Sequence, residues 1–109
     1  MRAVTLNQNY QFRRLYRRQP AGVSPLLVTY AAKNRLDFNR IGITTTKKIG
    51  KAHQRNRARR VIREAWRLTE GRVTPGYDFV FVARGRTTTC SMQEVMRAMQ
   101  KQLAPFMQS

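Results

Sequence analysis

Apolar positions recur at helical spacing over residues 9–18, where Phe12, Leu15 and Tyr16 share one side and Arg13, Arg14, Arg17 and Arg18 take others. The pattern predicts a short amphipathic first helix, broken at Gln19, Pro20, Ala21 and Gly22. Residues 26–32 follow Pro25 with strand character, and a short extra strand fits before Pro25. Residues 33–39 are polar and charged, as in a hairpin loop, and 40–46 resume as a β-branched strand. A basic loop, 47–51, leads into a long helix expected over residues 52–69, with Gly71 placed to supply a left-handed end. Pro75 and Gly76 turn the chain into the strand 77–83, apolar nearly throughout and so expected to be buried on both faces; it ends at Arg84, Gly85 and Arg86. Ser91 and Glu94 have the spacing of a reciprocal cap. Beyond them Met92, Val95, Met96, Met99 and Leu103 form one stripe of a last helix ending near Pro105. The order helix, strands, helix, strand, helix, without internal repeats, predicts an α+β sandwich in one domain spanning residues 1–109.

Charge changes that neutral picture. The 109 residues carry 22 Lys and Arg against 5 Asp and Glu, a net +17. Apolar content is ordinary for a domain that buries roughly two thirds of its unfolded surface, so general disorder is not expected. A surplus of this size attracts polyanions, nucleic acid foremost. An anionic membrane is the weaker alternative, because the apolar residues are committed to a core. The longest apolar stretches fall far short of the roughly 18 residues a spanning helix needs. Before Asp37 the chain has no acid and mimics a transit peptide in composition. Its organisation as helix and strand, without an apolar core near Met1, favours a mature cytoplasmic protein. Cys90 is the sole cysteine, so paired-cysteine zinc sites and intrachain disulfides are excluded.

Stepping 100° per residue along 52–69 places Ala58, Val61, Ile62, Ala65, Trp66 and Thr69 as a packing side and Arg55, Asn56, Arg59, Arg60, Arg63 and Arg67 as a basic one. Planar guanidinium forks grip phosphate in a bidentate way and stack on bases, which suits structured RNA. Glu64 and Glu70 offer some pairing but are too few to neutralise the face. The helix start presents free amides to an anion, with Lys47, Lys48 and Lys51 beside it and Gly50 permitting close approach or merely turning the chain. His53 lacks a partner for acid–base work, Cys90 reads as a structural thiol, and Trp66 and the methionine stripe read as core. The five carboxylates are scattered, so neither a protein metal site nor a two-metal nuclease is expected, and no catalytic residue is assigned to the protein.

Lys47-Lys48-Ile49-Gly50-Lys51-Ala52 followed by Arg55-Asn56-Arg57-Ala58-Arg59-Arg60-Val61-Ile62-Arg63-Glu64-Ala65 resembles the signature of the bacterial ribonuclease P protein component. Phe12-Arg13-Arg14-Leu15-Tyr16 is similar to that family's first helix, Leu27-Val28-Thr29-Tyr30 to its cleft strand, and Asp78-Phe79-Val80-Phe81-Val82-Ala83-Arg84 to its late strand, so the resemblance spans about residues 6–105. It implies a left-handed βαβ crossover through the central helix, where general topology rules favour the right-handed form. It implies a protein that joins a catalytic ribonuclease P RNA to remove the 5′ leader of precursor tRNA. The RNA would carry the chemistry with bound Mg²⁺, and no protein partner would be required. Arg55, Asn56, Arg57, Arg59, Arg60, Arg63 and Arg67, with Lys47, Lys48 and Lys51, would then face the RNA subunit. Phe12, Tyr16 and Tyr30 would line the leader cleft, where rings accept unstacked bases of any sequence; read from sequence alone, they fit ordinary core positions. His53 stands where family members often carry an apolar residue. The alternative is a ribosomal or RNA-chaperone protein of similar fold without processing activity.

Overall fold

The computed structural model describes residues 4–5 and 9–108, and only the backbone for Val4, Thr5 and residues 9–11. Eight elements alternate as β1 (Val4–Thr5), α1 (Asn9–Tyr16), β2 (Gly22–Val23), β3 (Leu27–Lys33), β4 (Arg40–Thr44), α2 (Ala52–Thr69), β5 (Tyr77–Ala83) and α3 (Met92–Leu103). The sheet order is β1-β4-β5-β3-β2. Its centre, β5, runs antiparallel to β3 and parallel to β4, so α2 is the crossover between parallel neighbours.

Period-2 alternation along β5 explains why that strand is apolar throughout. Phe79, Phe81 and Ala83 join Leu27 and Ile41 under α2 and α3, packing on Ala58, Ile62, Ala65, Trp66, Val95, Met99 and Leu103. Trp66 lies 5.7 Å from Phe79 and 5.8 Å from Phe81, centroid to centroid. Each such side chain stabilises the fold by roughly 1.5–3 kcal/mol through burial. On the opposite face Val80 and Ala32 receive Leu15 of α1, with Phe12, Tyr30 and Val82 at the margin. The sheet therefore has two helices on one side and α1 on the other.

The start of α3 is built as its sequence predicts: the Glu94 N–H donates to Ser91 Oγ at 3.2 Å, and Glu94 Oε1 accepts from the Ser91 N–H at 3.2 Å. The packing side of α2 is buried except for Val61, which is half-buried. Five expectations need correction. Residues 33–39 do not close a hairpin, because β5 lies between β3 and β4 and pairs with both. The parallel edge strand β1 was not expected, since two residues carry no periodicity. Strand β4 stops at Thr44, where its pairing with Val82 ends, and Lys47–Ile49 forms a 3₁₀ turn. Likewise α1 stops at Tyr16, two residues short of Arg18. Finally, Gly71 does not supply a left-handed end: α2 tightens into a 3₁₀ turn over Glu70–Arg72, and the positive-φ glycine that follows is Gly76, with φ 103° in the turn before β5.

Candidate nucleic-acid interface

Gly50 sets the entry to α2. Its φ of 152° lies where only glycine is comfortable, and an added Cβ would fall 2.4 Å from Gln54 Oε1. That oxygen accepts the Lys51 N–H at 2.7 Å and fixes the first turn. Lys47, Lys48, Lys51 and His53 are exposed around it. Positive charge thus gathers where the helix dipole already favours an anion.

Along α2, Asn56, Arg59, Arg60 and Arg63 are exposed and make no side-chain hydrogen bond or ion pair among the described residues. Three arginines of the same run behave differently. Arg55 is half-buried and its Nη1 reaches the Gly50 carbonyl at 3.4 Å. Arg67 donates from Nη2 to Glu64 Oε1 at 2.5 Å and from Nε to Oε2 at 3.0 Å, and its guanidinium holds the Glu64 carboxyl below its ordinary pKa. Arg57 turns into the protein: Nη1 donates to Thr88 O at 3.0 Å and Nη2 to Cys90 O at 2.9 Å, with Thr87 O at 3.4 Å from Nη1. Arg57, expected from the sequence to face RNA, thus holds the turn before α3 against α2.

Phe12, Tyr16 and Tyr30 do come together. Tyr16 meets Tyr30 edge-on at 5.1 Å and Phe12 at 6.4 Å, and it is 40% exposed. Its hydroxyl hydrogen-bonds Thr44 Oγ1 at 2.7 Å, spanning from α1 to β4. An open groove of about 320 Å³ follows, lined by Phe12, Tyr16, Ile43, Thr44, Thr45 and Arg59. Arg59 thus joins the basic face of α2 to the aromatic groove. Tyr30 belongs to the aromatic cluster but does not line the groove. Thr45 Oγ1 is buried there without a hydrogen-bond partner.

Sequence reasoning missed Thr44 and Thr45, whose β-branched run signals only a strand. It also missed Asp78, which is fully buried. Both its oxygens accept, from Arg14 at 2.5 Å, from Arg40 at 2.7 and 2.8 Å and from Asn34 at 2.9 Å. Exposed Arg84 and Arg86 extend the basic surface on the turn that packs against Lys47–Ile49. Burial pushes the Cys90 thiol up in pKa, the reverse of an activated nucleophile. Among the described residues no three His, Cys, Asp or Glu gather to hold a metal, and no helix is long and apolar enough to cross a membrane.

Residues 1–106 match the family model described as Ribonuclease P. Among curated relatives, the ribonuclease P protein component of Clostridioides difficile (strain 630) is 39% identical over 95 residues, covering 86% of this chain and 83% of the relative. That of Alkaliphilus oremlandii (strain OhILAs) is 37% identical over 99 residues, covering 90% and 87%. The fold is similar to that of the Staphylococcus aureus RNase P protein, with a TM-score of 0.82 at 24% identity over 95% of each chain. It is equally similar to the RNase P protein from Thermotoga maritima, with a TM-score of 0.82 at 24% identity over 95% of this chain and 98% of the other.

Proposed function

Because this chain belongs to the ribonuclease P protein family, we propose that it binds the RNA subunit through α2 and guides the 5′ leader of precursor tRNA along the aromatic groove. As a ribonuclease P protein component it is part of an endoribonuclease complex and acts with the RNA subunit in tRNA 5′ processing. In this reading Lys47, Lys48, Lys51, Asn56, Arg59, Arg60 and Arg63 take phosphates of the catalytic RNA. Arg55 and Arg67 add charge at the ends of that surface. Phe12 and Tyr16 offer ring surface to leader bases, and Tyr30 braces Tyr16 from below. The RNA performs the hydrolysis in the cytoplasm with Mg²⁺ bound mainly to itself; the protein supplies position and charge and needs no protein partner.

The observation that supports this reading best is that Arg59 lines the same groove as Phe12 and Tyr16. A strand leaving the RNA-facing helix can pass onto rings without crossing a neutral surface, and ring stacking tolerates any leader sequence. The test is cleavage of 5′-labelled precursor tRNA at low Mg²⁺ by protein alone, by the cognate ribonuclease P RNA alone, and by both. Cleavage at the mature 5′ end only with both is the expected result. Cleavage by protein alone would place an active site in the chain, and no effect of protein on the RNA would make it an RNA binder without a processing role.

A further inference from the structure

We infer that buried Asp78, acting through Arg14, is a positioning residue for the aromatic groove; the inference rests on the leader-binding reading above. Helix α1 has eight residues and presses one fully buried side chain, Leu15, into the sheet among those described. A helix that short has little stability alone, so its angle on the sheet depends on what its side chains reach. Among the described side chains, Leu15 and Phe12 give it apolar contact and two polar tethers set its angle. Arg14 and Tyr16 lie about 100° to either side of Leu15 around the helix. Arg14 ties to Asp78, whose sheet partner is Arg40, and Tyr16 ties to Thr44, whose partner is Val82. These rungs are four residues apart on β4, roughly 13 Å at the usual rise per residue. A helix held at two points that far apart has a fixed angle on the sheet.

Asp78 suits this role because it is over-determined. Each carboxylate oxygen accepts two hydrogen bonds, and Arg40 Nε and Nη2 make a bidentate grip that orients the group before α1 arrives. Asn34 completes the set from the loop after β3. The second lone pair of Oδ2 is thereby aimed at Arg14. Among the described side chains, releasing Arg14 leaves Tyr16 as the polar tether of α1, so Phe12 and Tyr16 swing relative to Tyr30 and the groove changes width. Asp78 itself is buried and touches no RNA, so any effect on leader recognition passes through α1.

The experiment measures, in the holoenzyme, affinity for precursor tRNA with and without its leader, for Arg14→Gln, Arg14→Lys, Asp78→Asn, Tyr16→Ala and the Arg14→Gln/Tyr16→Ala double variant. Arg14→Gln leaves Asp78 paired with Arg40 and Asn34, so it keeps the comparison open if Asp78→Asn fails to fold. Expected is a loss of leader preference in Arg14→Gln and Asp78→Asn, partial recovery in Arg14→Lys, unchanged affinity for leaderless tRNA, and no further loss when Arg14→Gln is added to Tyr16→Ala. Equal loss for both substrates, or a full extra loss in the double variant, overturns the positioning role. If Tyr16→Ala lowers leader preference and Arg14→Gln does not, the groove reading stands and this inference falls. If Tyr16→Ala has no effect on preference, both fall.

Discussion

Arg57 and Arg59 are each one step from buried Ala58, on opposite sides of α2, and their fates diverge because of what lies beside each. Arg59 falls toward the open groove, whereas Arg57 falls toward the turn before α3, whose carbonyls at Thr87, Thr88 and Cys90 are turned toward its guanidinium. Arg57→Ala should cost about 2 kcal/mol, since hydrogen bonds to a charged donor contribute roughly 1.5–3 kcal/mol. Arg57→Lys should recover little, because one ammonium does not reproduce a planar fork across three carbonyls. Urea denaturation at fixed ionic strength checks the cost. The salt dependence of RNA affinity should keep its slope in Arg57→Ala, and a slope shallower by roughly 0.7–0.9 would instead make Arg57 a phosphate contact. Cys90, in the same turn, should react with a thiol reagent at neutral pH only after denaturant is added, because it is buried and its thiol is pushed up in pKa.

At the scale of elements, α3 rests on its cap. Ser91→Ala should lower stability by about 1 kcal/mol, read from the urea midpoint. The Glu94 carboxyl is held below its ordinary value of 4.5, first by the Ser91 backbone N–H and then by its hydroxyl. A folded pKa below the unfolded one contributes stability that is fully present above 4.5 and is lost as pH falls through the lower folded value. The stability gap between the native chain and Glu94→Gln should therefore be open at neutral pH and close on acidification; a gap independent of pH would show that the carboxylate charge is not what caps the helix. This cap was legible in the sequence because it is local, and so were α2 and β5, whose periodicity runs long enough to decide the element. Strand β1 has two residues and no period to read. Gly71 misled because a glycine past the last apolar position marks an end without saying which turn makes it. The groove was half legible: the rings are conspicuous, but Thr44, Thr45 and Arg59 reach them only through the parallel pairing of β4 with β5 and the return of α2, contacts between residues far apart in the chain. Asp78, set in an apolar run, was the one sequence sign of the polar anchor beneath α1.

For the whole molecule the dominant quantity is +17. Ion pairs join Asp78 to Arg14 and Arg40 and Glu64 to Arg67, and five acids cannot offset 22 cations, so most of the surplus repels itself. Two effects of added anions follow, and they separate experimentally. Screening weakens the repulsion and depends on ionic strength alone. Site binding at the start of α2, where Lys47, Lys48 and Lys51 surround free amides, stabilises by mass action and depends on the anion. At low millimolar concentrations, where general exclusion of sulfate from protein surfaces is negligible, sulfate should raise the thermal midpoint more than chloride at equal ionic strength. Replacing Lys47 and Lys48 by alanine should shrink that excess while leaving the chloride response nearly as it was. If sulfate and chloride coincide at every ionic strength, the charge acts only as a diffuse field. A sulfate excess that survives the Lys47 and Lys48 replacement would instead place the ordered anion site on the exposed guanidinium groups of α2.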